Sequence, residues 1–154
     1  QESIANGIYG LKENGVKEDD LVLIHDAVRP LVSQGIISSN IAICKQYGYA
    51  ITGIQCREAI LESDDGFYST TSIPRDKLIR TPQTFRLTNI IKSHEEARQK
   101  GIRNSVSSCT LLAELGGYEM HIVPGEERNI KITTTEDLEI FKVLMQTSKE
   151  DWLK

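Results

Sequence analysis

With 154 residues and 39% hydrophobic content, the chain is long enough to bury one core, and nothing in it calls for a second domain. A net charge of −4 and the lack of any Lys/Arg run exclude nucleic-acid backbone as the main partner, while leaving room for a small anion held by a few local cations. Cys44, Cys56 and Cys109 lie far apart without a C-x-x-C pair, so they frame neither a disulfide scaffold nor a zinc site and read as small apolar core residues. No stretch approaches the roughly 20 apolar residues of a membrane span and none has the pattern of a signal peptide, so a soluble, cytoplasmic protein is the expectation.

The chain opens inside a helical pattern, with Ile4, Ile8 and Leu11 on one face, and starts at Gln1; a beginning upstream of it is expected. Asn14-Gly15 is a helix stop. Leu21-Val22-Leu23-Ile24 follows, an apolar run between Glu18-Asp19-Asp20 and Asp26, which predicts a strand buried on both faces of a parallel sheet. From Ser33 the spacing of Ile37, Ile41 and Cys44 predicts a helix capped by Gly48, and Tyr49 to Gln55 reads as the next strand.

Residues 57–75 are polar and carry Asp64-Asp65-Gly66, a hairpin turn, with Phe67 and Tyr68 after it. Two exposed aromatics on a projecting hairpin favour an arm that docks on another subunit over a free flap. Arg80-Thr81-Pro82-Gln83-Thr84-Phe85 reads as a loop shaped by its proline, leading into a helix from about Leu87 to Lys100. A further helix is expected from about Ser105 to Leu115, then a strand over Tyr118 to Val123 with Tyr118, Met120 and Ile122 on one face. Asn129-Ile130-Lys131-Ile132 is a short extended piece. Thr134 and Asp137 then open a last helix whose Leu138, Phe141 and Met145 form an apolar stripe. The alternation of strands and helices predicts an α/β fold with a mostly parallel sheet covered on both sides.

In such sheets ligands bind beyond the C-terminal strand ends, which draws attention to Asp26 and Arg29. Asp26 has two readings: it caps a turn, or it offers a hard oxygen to a divalent cation shared with substrate phosphates. The Arg29 guanidinium carries the forked donors that phosphates accept. Lys131, between two isoleucines, reads from alternation alone as an exposed lysine, and Arg75 is equally bland. His25, His94 and His121 are not spaced like ligands and receive no role, His94 being expected on a solvated helix face.

Three strings then fall in one order over nearly the whole chain: His25-Asp26-Ala27-Val28-Arg29-Pro30, Thr81-Pro82-Gln83 before Phe85, and Asn129-Ile130-Lys131-Ile132-Thr133 before Glu136-Asp137-Leu138. Together they resemble the cytidylyltransferases that act on 2-C-methyl-D-erythritol 4-phosphate or D-ribitol 5-phosphate. The opening residues 1–7 are similar to the segment that closes the nucleotide pocket in these enzymes, with Ser3 at the position of a nucleotide contact. Val28 is more typical of the ribitol type.

The resemblance implies a Rossmann-like, three-layer nucleotidyltransferase domain, with residues 1–154 as its C-terminal two-thirds and residues 57–75 as a β-arm embracing a partner subunit in a homodimer. It implies CTP and a polyol phosphate as substrates, release of pyrophosphate, and Mg²⁺ or another divalent cation as cofactor. Asp26 would lie near the reacting phosphates and the metal, Ala27 against the nucleotide, and Arg29 in the nucleotide and sugar-phosphate pocket. Lys131 would meet the substrate phosphate and the charge built up in transfer, while Arg75 and Ser107 contact the acceptor, Arg75 that of the neighbouring subunit.

The family's glycine-rich loop, with its arginine and lysine, is expected upstream of Gln1, so residues 1–154 alone are expected to bind CTP weakly and turn over nothing. Ala59 stands where relatives place a threonine, and Ser108, after Ser107, where they place an aspartate. A non-catalytic, dimerising nucleotide-binding homologue is therefore the alternative. A glycosyltransferase of related fold is disfavoured, because no D-x-D motif occurs.

Overall fold

A computed structural model describes residues 2–57, 61–62, 71–72, 77–103 and 105–147. Helix α1 (Glu2–Glu13) leads into strand β1 (Leu21–Ile24), helix α2 (Gln34–Tyr47) and strand β2 (Tyr49–Gln55). Two short strands, β3 (Leu61–Glu62) and β4 (Thr71–Ser72), pair antiparallel with Leu61 opposite Ser72. They are the base of the expected hairpin; its turn at 64–66, its aromatics, Ala59 and Arg75 lie outside the described residues. Strand β5 (Lys77–Arg86), helices α3 (Leu87–Gln99) and α4 (Ser108–Leu115), strand β6 (His121–Pro124) and helix α5 (Thr135–Gln146) complete the order.

The main sheet has four strands in the order β1-β5-β2-β6. It is mixed rather than mostly parallel: β5 runs antiparallel to both β1 and β2, and only β2 and β6 are parallel. The difference comes from residues 80–85, expected as a loop on account of Pro82 but forming part of a central strand. Pro82 is tolerated there because the β2–β5 register skips it, passing from Ile51 opposite Gln83 to Thr52 opposite Arg80, so no ladder bond requires its missing N–H. Its carbonyl is used instead, accepting from Thr52 Oγ1 at 2.6 Å.

Helices cover both faces of this sheet. On one, Ile8 of α1, Ile90 of α3 and Leu112 of α4 pack with Ile51 and Phe85 of the strands. On the other, Cys44 of α2 meets Ala50 and Val123. Each large side chain fully buried in these clusters contributes about 1.5–3 kcal/mol. All three cysteines are buried, as small core residues.

β1 is half-buried along its length rather than sealed on both faces, because among the described residues it pairs with β5 alone. The buried face of α2 is Ile36, Asn40 and Cys44, one position off the expected Ile37-Ile41 face. Asn40 can lie there because its amide donates to Thr52 Oγ1 and to the Ile36 carbonyl. Gly48 caps α2 with φ of 87°, as its sequence position suggested.

Other boundaries and faces also move. Leu11 is exposed, and α4 starts after Ser107, leaving Val106 89% exposed. β6 starts at His121, with Ile122 turned partly outward. His94 is buried rather than solvated, and burial chiefly holds its pKa below the ordinary histidine value. On α5 the expected stripe is not covered: Leu138, Ile140, Val143 and Met145 are exposed, and Leu144 is the buried residue.

Candidate active site

β1 stops at Ile24, and the chain beyond it turns tightly, the Arg29 N–H donating to the Asp26 carbonyl at 3.0 Å. The Asp26 N–H donates to Thr81 Oγ1 at 3.1 Å, so β5 sets the direction in which this loop leaves the sheet. Within the loop, Arg29 Nε donates to Asp26 Oδ2 at 3.1 Å. His25 Nε2 donates to the Arg29 carbonyl at 3.0 Å, holding the loop from inside. The carboxylate is thus pre-aligned by a charge-assisted bond from Arg29, whose side chain is only 11% exposed.

The second wall is a strap without regular structure, residues 125–132. It is fastened at both ends and in the middle. Gly125 N–H donates to the Gly53 carbonyl at 2.8 Å, and a Cβ at Gly125 would meet Thr52 Cγ2 at 2.8 Å. Ser33, the N-cap of α2, donates through its hydroxyl to Glu126 Oε1 at 2.7 Å. Asn129, fully buried, donates through Nδ2 to the Thr81 carbonyl at 2.7 Å. Ile132 N–H donates to the Val28 carbonyl at 2.8 Å, which ties the strap to the Asp26 loop.

Lys131 is delivered by these ties. Its Nζ lies 3.6 Å from Asp26 Oδ2, with the side chain half-exposed. One carboxylate oxygen therefore faces two cations, Arg29 and Lys131, drawn from segments about a hundred residues apart in sequence. Arg29 also crosses to the strap, donating from Nη1 to the Asn129 carbonyl at 2.8 Å.

Arg80 reaches the same oxygen from β5. Its Nη1 donates to the Asn129 carbonyl at 2.7 Å and to the Glu127 carbonyl at 3.2 Å, and its Nη2 lies 3.6 Å from the exposed Glu127 carboxylate. Burial first, and then the neighbouring Arg29 charge, hold its pKa below the usual arginine range. Sequence reasoning missed Arg80 and Asn129: both lie in quoted strings, yet only contacts across the fold distinguish them from their neighbours.

Of the other residues singled out, Ala27 is exposed on the Asp26 loop. Ser3 is exposed in the first turn of α1. Ser107 is the N-cap of α4, its hydroxyl accepting from the Thr110 N–H. Gln83 secures that helix start to β5, its Oε1 accepting from the Cys109 N–H at 3.2 Å. Ser108, where the resemblance implies an aspartate, is buried with its hydroxyl unpartnered among the described residues.

Among the described residues, no group of three or more His, Cys, Asp or Glu is placed to hold a metal alone. The donor set instead offers one carboxylate, Asp26, beside cations. Asp26 would supply a single protein oxygen to a divalent cation, which Mg²⁺ accepts only when phosphate and water complete its shell.

Residues 1–147 match the family model described as IspD, 2-C-methyl-D-erythritol 4-phosphate cytidylyltransferase. The chain is 36% identical over 151 residues to a ribitol-5-phosphate cytidylyltransferase of Vibrio parahaemolyticus, covering 97% of this chain and 63% of that protein. It is 36% identical over 149 residues to a 2-C-methyl-D-erythritol 4-phosphate cytidylyltransferase of Clostridium acetobutylicum, covering 95% and 62%. The chain thus spans less than two thirds of the length of these curated relatives. Its fold is similar to the crystal structure of the Francisella tularensis 2-C-methyl-D-erythritol 4-phosphate cytidylyltransferase, with a TM-score of 0.82 and 27% identity over 92% of this chain and 65% of that one. The Thermus thermophilus enzyme gives 0.76 and 28%, over 93% and 69%. The chain belongs to the 2-C-methyl-D-erythritol 4-phosphate cytidylyltransferase family.

Proposed function

We propose that the full-length protein transfers CMP from CTP to a polyol phosphate, either ribitol 5-phosphate or 2-C-methyl-D-erythritol 4-phosphate, and releases pyrophosphate. The observation that carries this reading is the meeting of Arg29 and Lys131 on Asp26 at the end of β1, in a chain of this family. Relatives with 36% identity bear either acceptor's name, so the acceptor class rests on the family and its choice on experiment.

In the proposed reaction a phosphate oxygen of the acceptor attacks the α-phosphorus of CTP. The new P–O bond forms as the bond from the α-phosphorus to the bridging oxygen breaks, and that oxygen leaves with pyrophosphate. Such a transfer asks little covalent chemistry of the protein; it asks for alignment and for cations where negative charge grows. Lys131 is half-exposed and can turn from Asp26 towards an incoming phosphate, whereas Arg29 is fixed by two bonds and serves as a rigid donor. Mg²⁺, when bound, would neutralise phosphate oxygens beside Asp26.

Ser3 and Ala27 are proposed as nucleotide contacts, and Ser107, at the start of α4, as an acceptor contact. The arm at 57–75 is proposed to join two subunits, with Arg75 reaching the neighbour's site.

Pyrophosphate release from CTP, measured on the full-length protein with each acceptor in turn, tests the reading. Release with one or both names the substrate, and no release with either overturns it. Retained CTP binding without release would favour the non-catalytic reading, which the buried hydroxyl of Ser108 in place of a carboxylate supports.

A further inference from the structure

We infer that Arg80 is a positioning residue of this site, holding Lys131 against Asp26 through the main-chain oxygen of Asn129. The inference rests on the proposed function only for what Lys131 does once placed. The strap from 125 to 132 has no ladder of its own, so the position of Lys131 depends on the bonds that pin its neighbours. Arg80 supplies two of these from a single nitrogen, to the carbonyls of Glu127 and Asn129, four and two residues before Lys131. Arg29 grips the Asn129 oxygen as well, so that atom is held between the loop that carries Asp26 and the central strand.

This arrangement is unfavourable as a stability device. Two guanidiniums converge on one oxygen, each beside the other's charge, and burial already disfavours the charged form of Arg80. A neutral donor such as glutamine could satisfy a carbonyl without that repulsion. What a guanidinium adds is a planar fork that spans two carbonyls and Glu127 together, fixing orientation as well as distance. The gap that orientation governs is the 3.6 Å between Lys131 Nζ and Asp26 Oδ2. A small rotation of the strap would open it, and a misplacement of about 1 Å at a reacting group can lower turnover about a hundredfold.

Two variants of the full-length protein test the role: Arg80→Met, which keeps the aliphatic stem, and Arg80→Lys, which keeps the charge without the fork. The first readout needs no activity. Per-lysine labelling by reductive methylation, read by mass spectrometry, should show Lys131 reacting about three- to fivefold faster in both variants, the scale of losing one exposed ion pair. Lys45 and Lys92, exposed elsewhere, should be unchanged and report that the fold is intact. If Arg80→Met does not fold, Arg80→Lys carries this readout alone.

The second readout is turnover. Arg80→Met should lower kcat roughly tenfold or more with KM for CTP within about twofold, and should have no further effect in a Lys131→Ala background. Unchanged labelling at Lys131 overturns the inference. So do effects of Arg80→Met and Lys131→Ala that multiply, since Arg80 would then meet substrate by itself. Full rescue by Arg80→Lys would make charge, not the fork, its contribution, and overturns it too. A protein that releases no pyrophosphate with any acceptor defeats the proposed function alone, and labelling still decides the role of Arg80.

Discussion

The strap at 125–132 and helix α5, which follows it, are neighbours in the chain held by opposite means. The strap has no regular structure, yet bonds to β2, to β5, to the start of α2 and to the Asp26 loop hold it. α5 is regular, with its own ladder and a full capping box, yet Leu138, Ile140, Val143 and Met145 on it are exposed. Regularity and restraint are therefore separate properties here. The site draws its lysine from the segment that has restraint without regularity.

Five substitutions would break or sharpen that contrast. The largest effect is expected at the strap's functional end. Lys131→Ala should lower kcat of the full-length protein by about 10²- to 10³-fold, as loss of one placed donor does, while leaving its melting temperature close to that of the parent. Near-normal turnover would remove Lys131 from the proposed mechanism. Next comes the strap's other end: Gly125→Ala places a methyl 2.8 Å from Thr52 Cγ2 and 3.3 Å from the Gly53 carbonyl. Overpacking of that kind costs about 1–3 kcal/mol, readable in urea melts. A loss nearer zero would mean that the strap yields easily and the contrast is overstated.

Thr134 stands at the junction of the two regions. Its hydroxyl accepts from the Asp137 N–H, while Asp137 Oδ2 accepts from the N–H groups of Thr133 and Thr134. Thr134→Ala should cost about 1 kcal/mol. The Asp137 carboxyl is held below its ordinary pKa, first by the Thr133 main-chain N–H and then by that of Thr134. Its folded pKa being the lower one, the carboxylate's contribution is present above the unfolded value and is lost as pH falls from there through the folded value. Melting curves of Asp137→Asn and the parent should therefore converge at acid pH; a constant gap would contradict this. The smallest effect is expected on the open face of α5, where Val143→Gln should change stability by less than about 0.5 kcal/mol. A larger loss would show that this face is covered in solution.

The helices were legible because their signals are local. Gly48 announces an αL cap, Thr134 and Asp137 announce a capping box, and the spacing from Ile4 to Ile8 marks the face that packs inward. The family was legible too, from three short strings in one order, and the comparisons agree with it. What escaped was whatever depends on a distant partner. Pro82 looked like a loop residue until a register shift in β2 accommodated it. The burial of Asn40 depends on Thr52, which accepts its amide, and His94 looked like a surface residue until its helix face was covered. Within the site, Asp26 and Arg29 stood out through a strand end that periodicity can find. Lys131 stood out only by resemblance, since alternation made it an ordinary exposed lysine. Arg80 had no local mark at all.

The two guanidiniums of Arg29 and Arg80 meet on an atom that no codon specifies. Every variant at position 129 still carries that oxygen, so mutation there can displace the anchor but cannot delete it. Position 80 has no such protection, because nearly every exchange removes the fork outright. A saturation library should consequently show different failures at the two positions: graded loss at 129, following how well each side chain fits beside Thr81, and an abrupt split at 80 between arginine and everything else.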